Sequence, residues 1–271
     1  MKTSILLPTF NNSDNLFTSF KDLDITGLNT IYVRDNFSTD NTYNTCASLF
    51  SYKLFYTRNS SNFGAIRNHE LVIGDLDSGH GVIFGDDDIV NQEYISYLIS
   101  SDDKFDLVLP SRNIPPKVSN LYAKAWFASQ SIPGLTASHK LFKEFWPVGY
   151  NGLYPQVFFV LNSLSFCNVH FTKIQPIKKY SNMGVLERVD KQNRDIDYNF
   201  SERLNILSIF VNDDVITNQV IPYYIREITH VFSSLSYVQR FKAIYYLISH
   251  SLYKFPFKYL VFMVIKCAIK C

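Results

Sequence analysis

The chain has 271 residues, 46% hydrophobic and 18% charged, with 10 Gly and 10 Pro; this excludes a disordered polymer and allows one large core or two subdomains. The net charge of +2 is unevenly spread: residues 228–271 hold six of the 26 basic residues and no acid, leaving 20 bases against 24 acids, a net −4, before them. Cys46, Cys167, Cys267 and Cys271 form no CxxC pair or His/Cys cluster, which reads as reduced thiols in a cytosolic protein and against a disulfide frame or zinc site. The opening Met1-Lys-Thr-Ser-Ile-Leu-Leu-Pro8 is too short an apolar run for a signal peptide. No stretch reaches the roughly 18 uninterrupted apolar residues of a transmembrane helix.

Along the first hundred residues, strand and helix signals alternate. Short apolar or β-branched runs at 4–7, 30–33, 53–56 and 82–84 predict strands, the first ending at Pro8, and 106–110 predicts a fifth. Helix-length stretches lie between them at about 12–22, 39–50 and 64–74, the second capped by Thr39 or Asp40. Strand–helix–strand at this spacing predicts an α/β fold with a mostly parallel, Rossmann-like sheet covered by helices.

From about Ser111 the rhythm shifts to longer aromatic-rich pieces at 121–130, 141–146 and 154–166, then a polar stretch at 178–199 that reads as a loop or lid. Residues 201–210 and most of 218–270 read as helix, interrupted at Pro222 and Pro256. The expected organisation is therefore an α/β half over 1–110, an acceptor-binding half over 111–200 and a basic helical segment over 201–271. On a helical wheel Lys254, Lys258, Lys266 and Lys270 fall within about 160°, with Leu260, Phe262, Met263 and Ile265 largely elsewhere. Basic residues beside aromatic and aliphatic ones fit a helix lying on an anionic membrane surface; a helix packed on the body with solvated lysines remains the alternative. Nucleic acid is not expected as a partner, since no recognised motif accompanies the charge.

The most informative stretch is His80-Gly-Val-Ile-Phe-Gly-Asp86-Asp87-Asp88-Ile-Val90. An apolar strand stops at a glycine and delivers three carboxylates. Adjacent anions repel and raise one another's pKa unless a cation sits among them. Hard oxygen donors suit Mn²⁺ or Mg²⁺, and Mg²⁺ sites typically use one or two carboxylates with substrate phosphates completing the shell. The carboxyl end of a strand is also where open α/β sheets bind ligands. A solvated acidic turn is the plainer alternative.

Four pieces in order carry a resemblance: Ser4-Ile-Leu-Leu-Pro-Thr-Phe-Asn-Asn12, Val33-Arg-Asp-Asn-Phe-Ser-Thr-Asp-Asn-Thr42, Asn62-Phe-Gly-Ala-Ile-Arg-Asn68 and Phe84-Gly-Asp-Asp-Asp88. Together they resemble the nucleotide-sugar domain of family 2 glycosyltransferases, which implies a GT-A fold over roughly residues 3–110. The resemblance implies that Pro8, Thr9 and Phe10 lie against the nucleoside of a nucleoside diphosphate sugar and that Asp35 holds its base. Asp35 as an Asx-turn residue remains open, and Asp40 reads as the helix cap. Arg67 matches the family's base- or phosphate-binding arginine, with a surface salt bridge as the alternative. Asp86 and Asp88 match the family's Asp-x-Asp, implying contact with ribose and with a Mn²⁺ or Mg²⁺ ion; Asp87 between them is counted with the donor-binding groups. A divalent ion on the diphosphate would stabilise the charge that develops as the sugar–phosphate bond breaks.

The catalytic base departs from the pattern. Many family members carry Glu-Asp at the head of a helix where this chain places Pro155-Gln156, and a neutral amide cannot take a proton. Residues 134–140 and 149–157 look like a subgroup that includes abequosyltransferase-like enzymes of O-antigen assembly. His139, Glu144 and His170 are the candidate substitutes, and inversion or retention stays open. Trp126, Trp146, Tyr150 and Tyr154 are candidate sugar-stacking rings, with core packing as the default for each. The resulting expectation is a metal-dependent glycosyltransferase, peripheral on the cytoplasmic face of the membrane. It would act on a saccharide acceptor such as a lipid-linked oligosaccharide of a bacterial surface polysaccharide. A sugar-nucleotide pyrophosphorylase or a non-catalytic nucleotide-sugar-binding module are the alternatives; against the first, Pro8-Thr-Phe-Asn-Asn12 lacks a Gly-rich phosphate loop.

Overall fold

The computed structural model describes residues 2–180, apart from 102, 103, 115, 151 and 153. The chain divides into two units, Met1–Pro116 with Phe127–Arg188, and Lys117–Trp126 with Val189–Cys271; the sheet and the site belong to the first. The predicted basic tail at 201–271, and residues 181–199 of the predicted loop or lid at 178–199, lie outside the described residues; 178–180 are strand and not loop. Among the described residues no helix is long and apolar enough to cross a membrane.

In chain order the elements begin β1 (Thr3–Thr9), α1 (Ser13–Phe20), β2 (Ile31–Asp35), α2 (Thr42–Phe50), β3 (Leu54–Arg58), α3 (Ala65–Asp75) and β4 (His80–Ile83). They continue β5 (Asp88–Val90), α4 (Gln92–Ser100), β6 (Leu107–Pro110), α5 (Leu121–Ala128), β7 (Thr136–Ser138), α6 (His139–Phe145), α7 (Pro155–Ser163), β8 (Val169–Thr172) and β9 (Ile177–Tyr180). Seven strands form one sheet in the order β3-β2-β1-β4-β7-β6-β8, while β5 and β9 pair separately. All neighbours in the large sheet are parallel except β7, which runs antiparallel to β4 and to β6. The expected mostly parallel, helix-covered α/β sheet of GT-A type is the observed fold.

All seven residues of β1 are buried, as a central strand between β2 and β4 requires. Strand β1 runs through Pro8, where the sequence predicted its end. Pairing with β4 stops at Leu6, while pairing with β2 continues to Thr9, so Pro8 lies past the two-sided part of the strand, where a missing N–H costs least. Side chains alternate between faces. Ile5 and Leu7 of β1, Ile31 and Val33 of β2 and Val82 of β4 join Leu16 and Phe20 of α1, Phe50 of α2 and Leu98 of α4 in one core. Phe20 and Phe50 meet edge to face at 5.5 Å, and truncating either to Ala would cost about 3–5 kcal/mol. Burying this face stacks the loops after β1, β2 and β4 along one edge of the sheet, where the site is built.

Candidate active site

The carboxyl ends of β2, β1 and β4 stand side by side, so the loops beginning at Asp35, Thr9 and Gly85 meet. Asp86 is the point of contact. Its Oδ2 accepts from Thr9 Oγ1 at 2.7 Å and from the Phe10 N–H at 3.3 Å, while Oδ1 accepts from Asn12 Nδ2 at 2.8 Å. Burial pushes the Asp86 carboxyl up from its ordinary pKa, and these three hydrogen bonds pull against that rise. Asp88, at the start of β5, is fully buried and accepts from the Gly85 N–H at 2.7 Å. Burial, with Asp86's charge adding to it, lifts the Asp88 carboxyl to about 6 against the pull of the Gly85 N–H and Arg112. Half-buried Asp87 lies between them. Gly85 makes the close approach possible: a Cβ there would lie 2.9 Å from Asp87 Oδ1 and 3.1 Å from Asp88 Oδ2.

Asp35 closes β2 with its carboxylate buried. Oδ1 accepts from the Ser38 N–H, three residues on, at 2.9 Å, and Oδ2 accepts from the Tyr56 hydroxyl at 2.5 Å. Burial and then the Asp35 hydrogen bond raise the Tyr56 phenol far above its usual pKa. Asp35, Ser38, Asp40, Tyr43, Tyr56 and Arg58 line a pocket of about 310 Å³. Asp40 accepts from the Thr42 N–H at 3.1 Å and the Ser13 N–H at 3.0 Å, which ties the start of α2 to α1; the N-cap position itself is held by Asn41, one residue on from the expected cap. Beside the pocket, Phe37 is 42% exposed and held at a φ of 73°, a conformation that costs a non-glycine residue about 1–3 kcal/mol. An asparagine chain pins the neighbouring loop: Asn36 donates to Asn62 at 2.7 Å, and Asn59 donates to Asn36 at 3.0 Å and to Asn68 at 2.9 Å.

The sequence candidates separate in space. Pro8, Thr9, Phe10, Asp35, Asp86, Asp87 and Asp88 share the carboxyl edge of the sheet. Arg67, exposed near the start of α3, forms an ion pair with Glu70, whose other oxygen accepts from the Gly149 N–H at 3.2 Å. Gln156 is buried in the first turn of α7, where Pro155 suits the helix start, and its Oε1 has no hydrogen-bond partner. His139 follows β7, which is antiparallel to β4, and its N–H bonds the Gly79 carbonyl, so it lies at the amino end of β4. The length of β4, about 10 Å at 3.3 Å per residue, lies between that end and the loop carrying Asp86. Glu144 is exposed on α6, and His170 of β8, at the sheet's far edge, stacks on Phe105 at 4.4 Å. Among the aromatic candidates Trp126 and Trp146 are buried, the latter against Phe142 and Phe159 at 5.9 and 5.5 Å; Tyr150 and Tyr154 are half-buried.

Sequence reasoning did not single out Asn12, Tyr56 or Arg58. Asn12 lay at the end of the first motif without a role, Tyr56 closed a run at 53–56 read only for its apolar content, and Arg58 lay beyond that run although β3 extends to it.

Among the described residues no group of three or more His, Cys, Asp or Glu is arranged to hold a metal. The donor set nevertheless suits a hard cation that shares its shell with substrate. Two carboxylates two positions apart, Asp86 and Asp88, both raised in pKa by burial, supply oxygen ligands and leave positions for phosphate oxygens.

Comparison with known proteins agrees with this geometry. No curated protein sequence matches the chain. Among solved structures it superposes on S. aureus TarS crystallised with UDP-GlcNAc, at TM-score 0.59 and 15% identity, over 100% of this chain and 89% of that one. It also superposes on glucosyl-3-phosphoglycerate synthase from Mycobacterium tuberculosis in complex with Mn²⁺, UDP and glucosyl-3-phosphoglycerate (TM-score 0.53, 14% identity, 76% and 79% coverage). A third is the mannosyltransferase PcManGT from Pyrobaculum calidifontis with GDP-Man and Mn²⁺ (TM-score 0.54, 12% identity, 75% and 64% coverage). At such identities these likenesses speak for the fold alone. The sequence profile of glycosyl transferase family 2 matches residues 4–166, a span that runs from β1 through the carboxylates of the β4 loop to the end of α7. With most of the described sheet inside that match, the chain belongs to glycosyl transferase family 2.

Proposed function

We propose that the protein transfers a sugar from a nucleoside diphosphate sugar to a saccharide acceptor. The observation that carries the reading is the convergence of Thr9, Phe10 and Asn12 on Asp86, with buried Asp88 beside it and buried Asp35 one loop away. Asp35 would accept an N–H of the base, and Pro8, Thr9 and Phe10 would lie along the nucleoside. Arg67 would reach the donor by exchanging its Glu70 pair for the base or phosphate. Asp86 and Asp88, with Asp87 near them, would hold Mn²⁺ or Mg²⁺. That ion would supply charge stabilisation to the departing diphosphate. Thr9 and Asn12 orient the Asp86 carboxylate before donor arrives, so little reorganisation accompanies binding.

Gln156 is the group we assign to the acceptor hydroxyl. Its unpartnered carbonyl oxygen is buried, so acceptor binding would have to uncover it; it could then accept that hydrogen bond and orient the attack without taking the proton. The acceptor we favour is a lipid-linked saccharide of a bacterial surface polysaccharide such as O-antigen, met at the cytoplasmic membrane face. The basic, aromatic composition of residues 228–271 supports that last step.

A thermal-shift panel of UDP, GDP, CDP and dTDP, with and without Mn²⁺, tests the donor reading. Stabilisation by at least one nucleotide, increased by Mn²⁺, is expected. No stabilisation by any of them overturns it. Donor binding with neither hydrolysis nor transfer would instead identify a binding module.

A further inference from the structure

The base pocket contains a cation that the family motifs do not include. Arg58 ends β3 directly across from Asp35 in the strand register. Its guanidinium is held on three sides. Nε lies 3.5 Å from Asp35 Oδ2, Nη2 donates to the Ser38 carbonyl at 2.6 Å, and Cζ sits 4.9 Å from the centre of the Phe37 ring. The 3.5 Å contact is too long to spend the guanidinium on the carboxylate. The side chain stays 48% exposed, and Nη1 has no hydrogen-bond partner among the described residues. Phe37 carries a positive φ, a costly backbone state, while its ring lies under the guanidinium. An acceptor, Asp35 Oδ2, and a preorganised donor, Arg58, therefore stand side by side at a pocket walled by the rings of Tyr43 and Tyr56.

We infer that Arg58 is a specificity-determining residue that donates to a ring carbonyl of the donor's base while Asp35 accepts the adjoining ring N–H. The inference rests on the donor-binding reading above. The bases that present this N–H/C=O edge are uracil, thymine and guanine. Cytosine and adenine carry a bare ring nitrogen there, facing the Asp35 carboxylate. They can offer an N–H only from the exocyclic amine, one atom further out, which a base tethered through its diphosphate to the Asp86 loop cannot reach in the same pose. Phe37 serves as the platform that keeps the guanidinium in plane.

The test is isothermal titration of the full chain with UDP, dTDP, GDP and CDP in Mn²⁺, for wild type, Arg58→Met and Arg58→Lys. Wild type should bind UDP, dTDP or GDP at least about tenfold more tightly than CDP, the scale of one well-placed hydrogen bond. Both variants should bring the preferred nucleotide to within about threefold of CDP. Lysine keeps the charge and the fold but not the planar fork, so loss of discrimination in that variant cannot be ascribed to unfolding. CDP binding as tightly as the others, or a preference that survives both substitutions, overturns the assignment of Arg58 while leaving the donor site standing. Binding of none of the four nucleotides to wild type overturns both.

Discussion

Thr9 and Asp86, 77 residues apart in the chain, are joined by a 2.7 Å hydrogen bond from Thr9 Oγ1 to Asp86 Oδ2. With the Asn12 bond to Oδ1, it clamps the loop after β1 to the loop after β4. Thr9→Val keeps the shape of the side chain and removes the donor. Stability should fall by about 1 kcal/mol and nucleotide affinity by roughly five- to tenfold. Chemical denaturation and titration would check both, and an unchanged affinity would show that the clamp does not orient the carboxylate.

Asp88 links the site to pH. Its folded pKa of about 6 lies above the ordinary aspartate value of ~3.9. Between those values the native state holds a proton that the unfolded chain has lost. This contribution is therefore fully present below about pH 4 and disappears as pH rises through 6, for a total on the order of 3 kcal/mol. Asp88→Asn keeps an acceptor for the Gly85 N–H and removes the titration. In cation-free buffer the variant should gain stability relative to wild type as pH goes from 4 to 7, and Mn²⁺ should stabilise wild type alone. Parallel stability–pH curves for the two proteins would refute this.

Gly85→Ala tests the closeness of the carboxylate loop. The new methyl would press within 2.9 Å of Asp87 Oδ1 and 3.1 Å of Asp88 Oδ2, so the two carboxylates must give way. Expected are a loss of about 1–3 kcal/mol in stability and weaker stabilisation by Mn²⁺ with nucleotide. A melting curve identical to wild type, with full Mn²⁺ response, would mean the loop is pliable.

Much of this arrangement was legible in the chain, for physical reasons that differ by element. Strands β1 to β4 and β6 announced themselves as short apolar runs ending in turn residues. The three carboxylates drew attention to the carboxyl end of β4 because they follow an apolar strand directly, although an acidic turn alone could carry the same charge. Strand β5 was hidden because its first residue is Asp88 itself. Strand β7 has three residues, too few for any period, and its antiparallel insertion depends on pairing with β4 and β6. Helix α4 was signalled and passed over: Asn91 caps it by accepting from the Glu93 N–H, and Tyr94, Ile95 and Leu98 mark its buried face. The Thr9–Asp86 and Asp35–Tyr56 bonds depend on strand order, which no local pattern encodes.

Gln156→Ala separates orientation from proton transfer. Gln156 is buried with an unpartnered Oε1, so truncation removes that acceptor without breaking a hydrogen bond made to it in the free protein. Transfer should drop by about tenfold, the value of one positioning hydrogen bond. A drop of roughly 10²–10⁴ at His139, Glu144 or His170 would instead locate an acid–base group there.

The most direct measurement is nucleotide release by the full chain from a panel of sugar nucleotides in Mn²⁺, repeated in excess chelator and with Asp88→Asn. A transferase using the Asp86–Asp88 site releases nucleoside diphosphate from at least one donor and loses that activity in both controls. Undiminished release in chelator and in the variant would contradict it.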